Sequence, residues 1–232
     1  MRTIGLIGGM SWESSLEYYR LVNEMIKNRL GGLHSAKCIM VSVDFAEIEE
    51  YQRLAQWDRA GEVMAGAAKS LEDGGAECVV LCTNTMHKLA DVIQKAVRIP
   101  LLHIADATAK VVVQAGLRRI GLLGTRFTME EDFYKQRLVD RFGLQVVIPN
   151  KAERDVVHRV IYDELVLGDI RPVSRQAYCQ IIKNLVKNGA EGIILGCTEI
   201  GLLVKPEDSA VPLYDTTVLH AEAAVEFSLG DS

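Results

Sequence analysis

The chain has 232 residues, 49% of them apolar, and carries 26 Lys and Arg against 31 Asp and Glu for a net charge of −5. That is enough for one large or two small domains with real cores, and an acidic balance without a basic run argues against a nucleic-acid partner. No stretch of eighteen apolar residues and no charged leader with a cleavage site is present, so the expectation is a cytoplasmic protein with no membrane partner.

Short aliphatic runs predict strands over 3–8, 37–43, 77–82, 99–103, 119–124, 144–148, 192–196 and 211–214, with helical patterns between nearly all of them. This alternation implies parallel sheets. Ser14 with Glu17 and Thr128 with Glu131 fit capping boxes, Pro172 fits the first position of a helix, and Gly74, Gly143 and Gly189 fall where helices stop. The closing segment AEAAVEFSLG reads as an amphipathic helix.

The sequence also repeats itself. GAECVVL at 75–81 matches GAEGIIL at 189–195, and TIGLIGG at 3–9 matches RIGLLGT at 119–125, with offsets of 114 and 116. VPLYDT at 211–216 resembles IPLLHIAD at 99–106. These matches predict an α/β fold of two pseudo-symmetric domains, each a small parallel sheet flanked by helices, with the active site in the cleft between them. The first half is expected over 1–104, completed by 213–232, and the second over 105–212. Ligands of such sheets bind at the carboxyl ends of the strands, where the slide pairs Thr83 with Cys197.

The strand-end residues are small or hydrogen-bonding and none is basic: Gly8, Gly9, Met10 and Ser11; Thr83, Asn84 and Thr85; Thr125 and Thr128; Cys197, Thr198 and Glu199. Loops that run into helix N-termini hold a carboxylate through backbone N–H groups without Lys or Arg, although the same Thr and Asn residues also suit plain helix caps. The five cysteines lack CxxC spacing and paired His ligands, so neither disulfides nor a structural metal is expected. Cys38, Cys78 and Cys179 read as small buried hydrophobes. Cys197 stands outside the apolar run, ahead of TEIGLL, where a helix start is expected to draw the thiol below its free value of about 8.5.

CTNTMH at 82–87, GCTE at 196–199 and GLIGGM at 5–10, in this order, resemble the aspartate/glutamate racemases that work without pyridoxal phosphate. The resemblance spans essentially the whole chain. It implies an amino acid substrate, no cofactor, a homodimer, and two cysteines that act as acid and base on opposite faces of Cα. The family's first cysteine falls on Thr83, and Cys82 is one residue early, so it is expected to point away from the site. Cys197 is then expected to deprotonate an L-amino acid while Thr83 serves the opposite face. A Thr hydroxyl is the weaker acid and needs help from Asn84, His87 or water.

Val166 stands where aspartate-preferring relatives often carry Lys, which leaves Gln52 or Arg53 to read a side-chain carboxylate, or else a broader substrate set that includes homoserine. Glu199 is expected to orient Cys197 or meet the substrate ammonium. His34, His103, His158 and His220 have no assigned role. Two alternatives stay open: a single-cysteine decarboxylase or cis-trans isomerase of a small dicarboxylate, and an amino acid binding protein without chemistry. Nucleotide binding at GLIGGM is disfavoured, because the G-x-G-x-x-G spacing is missing.

Overall fold

Ile4–Gly8 (β1) is a run of aliphatic residues and glycines with every position buried, as a strand covered on both faces must be. In the computed structural model, which describes residues 1–230, β1 lies between the parallel strands Cys38–Ser42 (β2) and Cys78–Leu81 (β3). Leu101–Leu102 (β4) completes a sheet of order β2-β1-β3-β4. The connections are the helices Trp12–Leu30 (α1), Phe45–Arg53 (α2), Trp57–Asp73 (α3) and Ala90–Ala96 (α4), with a 3-10 turn at Thr85–Leu89. Ile7, Val79 and Leu81 pack against Met64, Ala68 and Leu71 of α3 and Ile93 of α4. Each such buried aliphatic side chain contributes roughly 1.5–3 kcal/mol.

The second sheet repeats the first: Arg119–Gly124 (β5), Gln145–Val147 (β6), Gly192–Gly196 (β7) and Leu213–Asp215 (β8) pair in the order β6-β5-β7-β8, all parallel. Its helices are Ile104–Gln114 (α5), Arg126–Glu130 (α6), Asp132–Phe142 (α7), Lys151–Asp163 (α8), Pro172–Lys187 (α9) and Ile200–Leu203 (α10), and Thr216–Leu229 (α11) begins in this half and continues into the first. Successive residues of β7 serve opposite faces. Ile193 and Leu195 join the core under α8 and α9, and Ile194 joins the one under α5 and α7.

The chain divides into one unit of Met1–His103 with the segment from His220 onward, and a second of Ile104–Leu219. β8 is hydrogen-bonded to β7 over Leu213–Asp215, and the second unit runs on to Leu219. Residues 231 and 232 of the expected closing segment lie outside the described residues. Nor is α11 amphipathic: Glu226 is its one exposed position, and Thr216, His220, Ala221, Ala224, Val225 and Ser228 are buried.

The caps fall three residues ahead of their expected places. Ser11 accepts from the Ser14 N–H and Thr125 from the Thr128 N–H, each at 3.3 Å, because β1 and β5 end at glycine and the helices begin almost at once. Ser14 instead donates its hydroxyl to the Cys82 carbonyl at 3.1 Å. A true capping box forms at Asn150 and Glu153, opening α8. Among the described residues, no helix is long and apolar enough to cross a membrane.

Candidate active site

In the second unit, β5 and β7 run side by side with Gly124 opposite Gly196. A Cβ on Gly124 would stand 2.7 Å from the Gly196 carbonyl oxygen, and one on Gly196 would stand 2.7 Å from that of Leu123. Only glycine fits at either place, and the next residues are Thr125 and Cys197.

Cys197 is 8% exposed, and its thiol donates to Glu199 Oε2 at 2.9 Å. The Thr198 hydroxyl donates to the same oxygen at 2.9 Å, and Glu199 itself is buried. Burial pushes the Cys197 thiol well above its ordinary value, and the charge and hydrogen bond of Glu199 push it further. The backbone N–H groups of Glu199 and Thr198 pull the other way and do not prevail. The expected dipole-lowered thiolate is thus corrected: the helix that follows, α10, has only four residues, too few to outweigh desolvation and a neighbouring carboxylate. The resting pair is a neutral thiol bonded to Glu199.

Around it, the Thr216 hydroxyl donates to the Leu195 carbonyl at 2.8 Å and the Thr217 hydroxyl to the Thr198 carbonyl at 3.4 Å, so the start of α11 straps the end of β7. Tyr178 of α9 packs in the same core as Cys197 and donates to the Val157 carbonyl at 3.0 Å. Burial, then the nearby Cys197, Glu164 and Glu199, keep its phenol protonated. No sequence motif marks Tyr178. Thr125 and Thr128 bond each other at 3.3 Å, and Thr128 is fully buried with its methyl facing Gly124 and Gly196. Thr128 thus supplies the N–H that Thr125 caps and packs its methyl against both glycines. Val166 is half-buried against the core under α8 and α9.

In the first unit β3 ends at Leu81. Cys82 is fully buried, its sulfur 3.7 Å from the Val80 carbonyl, so it turns inward as strand alternation requires, and burial raises its thiol far above the ordinary range. Thr83, half-buried, is held through its backbone: its N–H donates to the Leu81 carbonyl at 2.8 Å, and its carbonyl accepts from His87 Nδ1 at 2.8 Å. His87 therefore grips the Thr83 carbonyl. Asn84 and Thr85 are buried at the start of the 3-10 turn.

Gly9 adopts φ +96° where a Cβ would strike the Val43 backbone, and its N–H donates to Ser15 Oγ at 2.7 Å. Met10 is packed with Ile7, Ile48 and Met86. The structure separates the two carboxylate-reading candidates. Gln52 is buried, with Nε2 at 3.0 Å from Met86 Sδ, whereas Arg53 is 59% exposed and pairs with Glu49 and Glu50 on its own helix.

The histidines without an expected role include two that meet His87. The His103 ring lies 4.5 Å from it and the His220 ring 5.8 Å. His220 Nδ1 is 2.9 Å from the Tyr18 hydroxyl and its Nε2 is 2.7 Å from the Leu102 carbonyl. Sequence could not reveal this cluster, since 133 positions separate His87 from His220 and only tertiary folding joins them. Of the remaining cysteines, Cys78 is buried as expected, while Cys38 and Cys179 are only half-buried. Among the described residues, no group of three His, Cys, Asp or Glu is placed to hold a metal ion.

A family model described as Asp/Glu/Hydantoin racemase matches residues 7–224. The chain is 54% identical to a Yersinia pestis protein whose crystal structure is described as a candidate Asp/Glu racemase, with a TM-score of 0.92 over 99% of this chain and 100% of that one. It is 34% identical to an aspartate racemase homologue from Pyrococcus horikoshii OT3, with a TM-score of 0.85 and coverage of 99% and 100%. It is also 23% identical over 226 residues, 96% of each chain, to the broad specificity amino-acid racemase RacX of Bacillus subtilis (strain 168).

Proposed function

This chain belongs to the Asp/Glu/hydantoin racemase family, an isomerase family, and from that premise we propose a cofactor-independent amino acid racemase in which Cys197 removes the Cα proton of an L-amino acid and Thr83 serves the opposite face. The observation that carries the reading is the hydrogen bond from the Cys197 thiol to Glu199, at a strand end whose equivalent in the duplicated half is Thr83.

The pair holds one negative charge. When the thiol proton passes to Glu199, the sulfur becomes the base and the total charge stays the same, so the transfer adds no second buried ion. The thiolate then takes the Cα proton, the C–H electron pair delocalises into the substrate carboxylate, and a proton added to the far face yields the D-enantiomer. The substrate ammonium favours the negative Cys197–Glu199 pair and stabilises the developing carbanion. At the Thr83 face the donor is a hydroxyl, a much weaker acid than a thiol, and the proton is drawn through it from water. Return of the proton to the original face is therefore expected to outrun inversion.

The proposed substrates are L-aspartate, L-glutamate and a broader set of L-amino acids such as homoserine. Val166 supplies no cation for a distal carboxylate, and Gln52, the buried polar candidate, recognises acidic and neutral side chains alike. Enantiomers have equal free energy in water, so kcat/KM must match in the two directions, and a preference for L-substrate appears in kcat and KM separately.

Incubation with each L-amino acid in D₂O, followed by NMR and chiral chromatography, tests the proposal. Deuterium should enter Cα of the L-form faster than D-enantiomer accumulates. No deuterium and no D-product, with a control racemase active in the same buffer, would overturn it.

A further inference from the structure

Thr83 is presented by a backbone that one imidazole holds. A carbonyl can only accept, so the 2.8 Å contact fixes the proton of His87 on Nδ1. The same logic fixes His220. Its Nε2 donates to the Leu102 carbonyl at 2.7 Å, which leaves Nδ1 to accept the Tyr18 hydroxyl at 2.9 Å. His87 is packed against both His103 and His220, and all three rings are buried. The carbonyl of Thr83 is thus tied through one ring to β4, α1 and α11. This is a costly arrangement for a mere loop anchor, since three imidazoles need buried hydrogen bonds where three leucines would not.

We infer that His87 is a positioning residue: its Nδ1–H bond to the Thr83 carbonyl sets the direction of the Thr83 hydroxyl, and so governs inversion at Cα without governing proton removal. The inference rests on the racemase reading above. Proton removal belongs to the Cys197–Glu199 pair in the other unit, so a change confined to the Thr83 loop should alter the second half of the reaction and spare the first. A loss of overall stability would depress both halves together. The ratio of Cα exchange to net racemisation separates the two cases.

The test compares His87→Asn with His87→Gln in D₂O, using the L-amino acid that the wild type exchanges fastest. Asn places its amide N–H near the position of Nδ1 and keeps the bond to Thr83, whereas Gln carries the amide out to the position of Nε2. Exchange is expected to stay within about threefold of wild type in both, while net racemisation falls by about tenfold or more in His87→Gln alone. Should His87→Gln fail to fold, His87→Leu, of similar volume and without a donor, is read in the same way. Equal ratios in wild type, Asn and donor-free variants overturn the inference, as does a proportional fall of both rates. A wild type that neither exchanges nor racemises any amino acid removes the racemase reading itself.

Discussion

Cys197 carries a sign that the sequence could not supply. GCTE places a thiol before a helix, but neither the depth of burial nor the direction of the Glu199 side chain is encoded locally, and these two raise the thiol where the helix start alone would lower it. Alkylation of Cys197 by iodoacetamide, followed by peptide mapping, should therefore be slow at neutral pH and accelerate into the alkaline range. Glu199→Gln removes the charge that disfavours the thiolate, and its alkylation profile is expected to shift to lower pH. Cys197→Ser keeps a hydroxyl donor for Glu199 and should fold normally while losing roughly 10³-fold or more of both exchange and racemisation. Thr83→Cys restores a thiol at the second position and should raise turnover of D-substrates, measured by chiral chromatography.

His220 tells the same story for stability. Burial lowers its value to about 4, below the ordinary 6.5, so the unfolded chain takes the proton first. The neutral ring's contribution is complete above about pH 6.5, declines as pH falls and is lost by about pH 4, a total of about 3 kcal/mol. Urea midpoints between pH 7 and 4 should fall more steeply for the wild type than for His220→Gln.

At the level of elements, the strands were legible because buried parallel strands leave unbroken aliphatic runs, and each expected run contains its observed strand or overlaps most of it. The helix starts were legible only to within a turn. Ser11 and Ser14, like Thr125 and Thr128, are both cap-type residues three apart, and the acidic residue that follows the second of each pair drew the expectation one step too far. What decides between them is where the preceding strand stops, and that depends on the glycines. Gly124 and Gly196 let β5 and β7 approach with carbonyls where side chains would be. Gly196→Ala must push apart backbone atoms rather than a flexible side chain, and a cost of about 1–3 kcal/mol is expected in chemical denaturation. Because Cys197 is the next residue, activity should fall further than stability alone accounts for.

At the level of the molecule, the repeat foretold two parallel sheets flanked by helices, one in each half. The resemblance between VPLYDT and IPLLHIAD marks equivalent strands and does not say which sheet the segment after β8 joins. From His220 onward, α11 completes the first unit: Ser228 exchanges hydrogen bonds with Arg2 at 2.7 and 2.6 Å, and Arg29 pairs with Glu222 and Glu226. A chain ended at Leu219 retains every residue of the second unit and is missing this closure. Hydrogen exchange should then show protection lost in β1–β4 and kept in β5–β8.

That late closure has a consequence for biosynthesis. Domains usually mature in the order in which they leave the ribosome, yet here residues 1–103 wait for a segment made after the whole of the second unit. The amino-terminal half emerges early with the pocket for His220 empty, the middle of the chain is finished in the meantime, and the final helix must be released before the opening half can set. Nascent chains arrested before codon 220 should accordingly present the first hundred residues to proteases and chaperones while the later-made half already resists both.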